Sequence, residues 1–135
     1  MALLLASSCA PKPEPVEYGA DMCHFCKMSI VSRQHAAEAV TSKGKVYKFD
    51  ATECLVHFLK EQNGTEYAYL LASDYERPGT LMPAESSTYL ISPQMPSPMG
   101  AFLSAFSSPE RAQAFQQEKG GEVLSWQQLQ ERLRE

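Results

Sequence analysis

The run DATECLVHFLKEQNG, residues 50–64, is the clearest helix in this chain. Asp50 stands where an N-cap belongs, and Glu53, three residues on, can reach back to complete a capping box. Leu55, Phe58 and Leu59 recur at helical spacing and form one apolar stripe, and Asn63-Gly64 provide the stop. A stripe of this kind needs a surface to lie on, and the flanking sequence supplies strands. Upstream, AAEAV (36–40) and KVYKF (45–49) bracket TSKGK, a hairpin pattern with Gly44 in the turn. Downstream, YAYLLASDY (67–75) reads as a further strand.

The pattern recurs in the second half of the chain. At one constant shift, Phe49, Glu53, Phe58, Glu61 and Gly64 fall on Phe106, Glu110, Phe115, Glu118 and Gly121. Ser107 takes the capping place of Asp50, and Pro109 sits in the first turn, where proline is tolerated. TYLIS (88–92) and AFLSAF (101–106) read as strands before this second helix, EVLSW (122–126) as one after it, and QQLQERLRE as a closing short helix. The expectation is an α+β protein of two small strand–strand–helix–strand units, with halves at 21–76 and 77–135, the first opening on a Cys-x-x-Cys knuckle.

Composition bounds what such a protein does. At 135 residues there is room for one modest core, and 44% hydrophobic with 21% charged residues suits a globular chain. Twelve Lys and Arg against sixteen Asp and Glu leave a net charge of −4 with no basic block, so nucleic acid is not an expected partner. No convincing catalytic triad or carboxylate pair emerges, and an enzyme is not expected.

The N-terminus reads MALLLASSC: an apolar run, small residues, then Cys9. That order resembles the lipobox of a bacterial lipoprotein, with Cys9 as the lipidated residue. The apolar run, Ala2 to Ala6, is shorter than the roughly 7–15 residues of a signal core and no Lys or Arg precedes it, as in a signal remnant. APKPEPVEYGA follows, its prolines suiting an extended tether. Residues 1–20 are therefore expected to be signal remnant and tether, with the folded domain beginning near Asp21 and a lipid anchor holding it to a membrane.

The chemistry sits at that beginning. DMCHFCKMSI, residues 21–30, packs Cys23, His24, Cys26 and Met28 into a single short run. A thioredoxin-like pair would open a helix after a strand, whereas this one precedes a hairpin. A structural disulfide would leave one thiol over among Cys23, Cys26 and Cys54. Two metal geometries remain. Cys23, Cys26, Cys54 and His57 have the spacing of a treble-clef zinc site, although His57 lies close to the helix's apolar stripe. The second uses Met28: thioether is a poor zinc ligand and a good one for Cu(I). In an extended segment Cys26 and Met28 would share one side, and His24 or Cys54 could complete the shell. Cuprous copper is the better fit.

The knuckle Cys23-His24-Phe25-Cys26-Lys27-Met28, then AAEAV…GKVYKFD…ECLVHFL, ASDY and MPSPMGAFLSAFSSPERAQAF…GGEVLSW, together resemble the NosL family over about residues 21–126. The family's tryptophan after the Asp-Tyr pair has no counterpart in ERPGTLMPAESS. The resemblance implies an extracytoplasmic copper chaperone, lipid-anchored on the periplasmic side of a bacterial membrane, that delivers Cu(I) for assembly of nitrous oxide reductase. It implies that Cys26 and Met28 hold the metal in the family's Cys-x-Met, with Cys23 and His24 at positions where the family varies. Cys54, just after the Phe49-Asp50 step, is an inward-facing further candidate. Pro98-Met99-Gly100 also falls in the resemblance, with Met99 as either a transient copper contact or a plug in the core.

Overall fold

The computed structural model describes residues 10–134, so Cys9 lies outside the described residues. Two antiparallel sheets are built by the same connection. In the first unit β1 (Ala37–Thr41) and β2 (Val46–Phe49) form the expected hairpin, α1 (Thr52–Lys60) follows, and β3 (Tyr67–Ser73) returns to the free edge of β1. A further strand, β4 (Leu81–Pro83), then pairs with β3. In the second unit β5 (Thr88–Ile91) and β6 (Leu103–Phe106) pair, α2 (Pro109–Lys119) follows, and β7 (Glu122–Ser125) returns beside β5. The first strand of each hairpin thus lies between its hairpin partner and the returning strand. The echo between the halves is a repeat of topology, and the fold is α+β as the sequence predicts.

Unit boundaries differ from expectation. With β4 added, the first sheet runs β2-β1-β3-β4 and reaches past residue 77. The proline-rich stretch is no free tether over its whole length. Glu14 N–H donates to the Glu38 carboxylate at 2.7 Å, Lys48 Nζ donates to Pro15 O at 2.9 Å, and Val16 and Tyr18 pack on the core. Glu38 and Val40 alternate with the core residues Ala37 and Ala39 along β1. The fully buried Glu38 on that other face needs a partner, which residue 14 supplies.

Both helix caps lie one residue later than the sequence indicates. Ala51 caps α1 and Ser108 caps α2, at equivalent places in the two units, with nearly identical extended backbones (φ −150°, ψ 156° and φ −152°, ψ 159°). Ser108 Oγ accepts from Arg111 N–H, whereas α1 has no side-chain cap. The expected Asp50–Glu53 capping box is absent: Ala51 is the N-cap, and the Glu53 carboxylate is drawn into the second unit. The capping box that does form belongs to α3 (Trp126–Arg132), between Ser125 and Gln128.

One core joins the units. α1 touches β1 and β2 on one side and β6 on the other, so Thr52 through Val56 are all buried, not just a stripe. Tyr89, Leu103, Leu124, Trp126 and Leu129 of the second unit belong to the same cluster as Phe49, Leu55 and Phe58. On its other face the second sheet buries Leu90 and Phe106 against α2, closed by Tyr75 and Phe115.

Gly121 shows what the repeat demands locally. Its φ is +107°, and a Cβ there would lie 2.2 Å from the Ile91 carbonyl oxygen. Gly121→Ala is expected to cost about 3 kcal/mol or more in a urea unfolding experiment, from backbone strain plus overlap with immovable main chain. Gly64, its counterpart, has φ +74° and no neighbour within 4 Å, so Gly64→Ala should cost only about 1–2 kcal/mol.

Candidate metal centre

Residues 21–30 fold into a two-stranded ribbon too short for a regular strand. Met22 and Ser29 form an isolated antiparallel bridge, flanked by Cys23 N–H donating to Met28 O and Ile30 N–H donating to Asp21 O, each at 2.8 Å. The tip turns through Lys27, whose φ of +67° is left-handed, with Lys27 N–H donating to Cys23 O at 3.0 Å. That turn overturns one premise from the sequence: Cys26 and Met28 are not on one side of an extended segment. Met28 instead sits opposite Cys23 across the ribbon, and opposed residues start from the same face.

Four contacts fix the ribbon to the first unit. Lys48 of β2 pairs with Asp21 at 2.9 Å, and His24 N–H donates to Lys48 O at 2.8 Å. The His24 ring packs edge-on to Tyr47 and Phe58, with centroids at 4.5 and 5.3 Å. Phe25 stacks on His57 at 5.7 Å. The two residues between the cysteines are thus occupied as anchors. Burial pushes the pKa of both histidines down, so each is neutral at physiological pH.

Among the described residues, one group of three or more His, Cys, Asp or Glu side chains has its ligand atoms together: Cys23, Cys26 and Cys54, with all three Sγ within 4.8 Å of one another. Cys23 comes from the ribbon's first strand, Cys26 from its tip, and Cys54 from the first turn of α1. Cys23 and Cys54 are fully buried, Cys26 is partly exposed, and none is in a disulfide. The Cys54 thiol as hydrogen-bond donor, together with the Cys26 backbone N–H at 3.4 Å, holds the Cys23 pKa well below the usual thiol range. Cys54 shifts up as the donor to Cys23, and burial raises Cys26.

The remaining candidates divide. Met28 is 62% exposed. His24 and His57 lie outside the thiol group, so the four ligands of a treble clef are not assembled. Met99 is 45% exposed, and the buried methionine of its loop is Met95, packed against Leu90 and Phe106. What plugs the core is thus Met95.

One residue has a role that sequence reasoning, which placed it in a capping box, did not find. Glu53, next to Cys54, is buried, and its Oε2 accepts from Ser97 Oγ at 2.6 Å and from Ala101 N–H at 3.1 Å, while Ser97 Oγ accepts from Leu103 N–H. This clamp ties the Pro98-Met99-Gly100 loop to the helical turn that carries Cys54. Glu53 and Ser97 belong to different units, far apart in the chain, so no local spacing signals the contact.

Two joined α+β units with clustered thiols define a small protein with a candidate site for a soft metal ion. The family model for NosL matches residues 16–133, and the chain belongs to the NosL family. It is 30% identical to the copper-binding lipoprotein NosL of Stutzerimonas stutzeri, over 98% of this chain and 80% of that protein. Its fold matches the crystal structure of the copper chaperone NosL from Shewanella denitrificans with a TM-score of 0.72, at 20% identity, over 84% of this chain and 92% of that one. Among the described residues no helix is long and apolar enough to cross a membrane.

Proposed function

We propose that this protein is an extracytoplasmic Cu(I) metallochaperone, anchored by lipid at Cys9 on the periplasmic side of a bacterial membrane, that hands copper on for assembly of nitrous oxide reductase. Copper is its cargo. The observation that carries the reading is the gathering of three thiols, two of them fully buried, from a ribbon and a helix that are well separated in sequence. Cys23, Cys26 and Cys54 form the floor of the site, and Met28 is a thioether at its rim.

Chemistry selects the ion. Thiolate and thioether sulfur favour Cu(I), while a closed structural zinc site wants four N or S ligands. The histidine that would be the fourth is stacked on Phe25. His24 serves as an anchor, and Met99, on the loop clamped beside Cys54, is available for a transient contact with copper or its acceptor. Delivery needs a ligand that can leave as an acceptor's ligand enters, and an exposed neutral thioether suits that step. No bond making is required, so the protein acts without catalysis. The acceptor and the compartment follow from the resemblance to NosL lipoproteins and from the naming of the Stutzerimonas relative as a copper-binding lipoprotein.

The test is anaerobic titration of the reduced protein with Cu(I) and, separately, with Zn(II), against a competing chelator. About one Cu(I) is expected, held in preference to zinc. Zinc bound as tightly as copper would overturn the copper reading. For the anchor, Cys9→Ser should move the protein from the membrane to the soluble fraction of cells, because acyl chains are the proposed attachment.

A further inference from the structure

Access to the three sulfurs is graded. Cys26 at the ribbon tip is partly exposed, Cys23 behind it is fully buried, and the Cys26 N–H donates to Cys23 Sγ at 3.4 Å. Cys54, equally buried, is fixed in the first turn of a helix packed on both sides. Cys26 is thus the one of the three that is partly open to solvent, and Cys23 lies on the same short turn. Both Sγ atoms fall within 4.8 Å of each other and of Cys54, yet no disulfide joins any pair.

We propose that Cys23 and Cys26 are also a thiol–disulfide exchange site: an oxidant of the disulfide class closes them into an intramolecular disulfide that excludes copper, and a dithiol reductant must reopen it before loading. This rests on the copper reading above. An extracytoplasmic compartment is one in which disulfides form and persist.

The steps balance. Cys26 gives its proton to solvent and its sulfur attacks one sulfur of an oxidised disulfide RSSR, a Cys26–S–S–R bond forms, and RS⁻ leaves. The Cys23 thiolate then attacks Cys26 Sγ, the Cys23–Cys26 bond forms, and the second RS⁻ leaves. Two cysteine sulfurs lose two electrons and RSSR gains them, and each leaving RS⁻ is protonated from solvent, which received any proton the cysteines gave up on ionising. Cys26 enters because a bulky disulfide reaches no buried sulfur. Cys23 resolves because it shares the turn, whereas Cys54 would need its helix to move. The product leaves one thiol, Cys54, and the Met28 thioether, so the floor of the copper site is lost. Copper and the disulfide compete for the same two sulfurs, and each protects against the other.

The test uses the reduced full chain, metal-free, incubated anaerobically with oxidised glutathione. Free thiols are then alkylated in denaturant and counted by mass, and linked peptides are mapped. Expected is loss of two alkylation sites with Cys23 linked to Cys26, a fall in Cu(I) retention of about 100-fold or more, and recovery of both on adding a dithiol. Protein loaded with Cu(I) beforehand should keep all its thiols. Cys54→Ser should still form the disulfide, and Cys26→Ser should form no intramolecular disulfide. A stable glutathione adduct, a dominant bridge to Cys54, or oxidised protein that retains Cu(I) as well as the reduced form would each overturn the proposal. Should the reduced protein take no Cu(I), the copper reading fails, and the thiol count alone then judges the exchange chemistry.

Discussion

Cys26→Ser is expected to abolish tight Cu(I) retention by the reduced protein while leaving its fold intact. Cys26 is the partly exposed member of the thiol group, so replacing it disturbs little packing. Its sulfur, however, is a soft ligand that binds Cu(I) as the thiolate once copper displaces the proton, and a serine hydroxyl is neither soft nor ionised at neutral pH. Met28→Leu is the graded counterpart. It keeps volume and removes a neutral ligand from the rim, and a loss of roughly 10–100-fold, about 1.4–2.7 kcal/mol, is expected. His57→Ala should leave Cu(I) affinity within a factor of about two, because its ring stacks on Phe25 outside the thiol group. Competition against a Cu(I) chelator reads all three, with circular dichroism as the control for folding. A Cys26→Ser protein that still held Cu(I) within about tenfold of the parent would remove Cys26 from the site. Loss of metal on His57→Ala with none on Met28→Leu would restore the zinc reading.

The second large effect concerns the clamp between the units. Glu53→Ala removes the acceptor for the buried Ser97 Oγ and the partly buried Ala101 N–H, and leaves a gap in the shared core. Hydrogen bonds to a charged acceptor are worth about 1.5–3 kcal/mol each and stranded donors cost more, so a loss of about 3–5 kcal/mol is expected. The equivalent residue of the second unit offers the control. Glu110 occupies the matching place in the first turn of α2 but is exposed, and Glu110→Ala should change stability by no more than about 0.5 kcal/mol. Denaturant midpoints for the two variants settle the comparison. Equal effects would mean that Glu53 acts only as a first-turn acid, through the helix dipole.

Much of the fold is legible because its signals are local. The Gly44 hairpin and the strands that flank each helix depend on residues within a few positions of each other, and each forms close to where it is expected, whereas α1 ends at Lys60, with Glu61 as its C-cap, before the expected stop at Asn63-Gly64. The repeat is legible for the same reason, since helix grammar places equivalent residues at one spacing in both units. The capping box of α1 fails because the Glu53 carboxylate is taken by distant partners, Ser97 and Ala101. β4 carries too short and mixed a pattern, Leu81–Pro83, to stand out from the loop around it.

The site divides in the same way. By itself the amino-acid sequence determined the inventory of soft ligands, Cys23, Cys26, Met28 and Cys54, because softness belongs to the side chain and needs no fold. Only the tertiary structure decided which of them meet. Cys54 joins the knuckle because α1 is buried between two sheets with its first turn toward the ribbon. His24 and His57 are withheld because aromatic neighbours from β2, α1 and the knuckle itself take their rings first. Met28 lies opposite Cys23 across the ribbon through a left-handed turn at Lys27 that no spacing rule indicates. Contacts of this kind join segments far apart in the chain, and the free energy that selects them is that of one shared core.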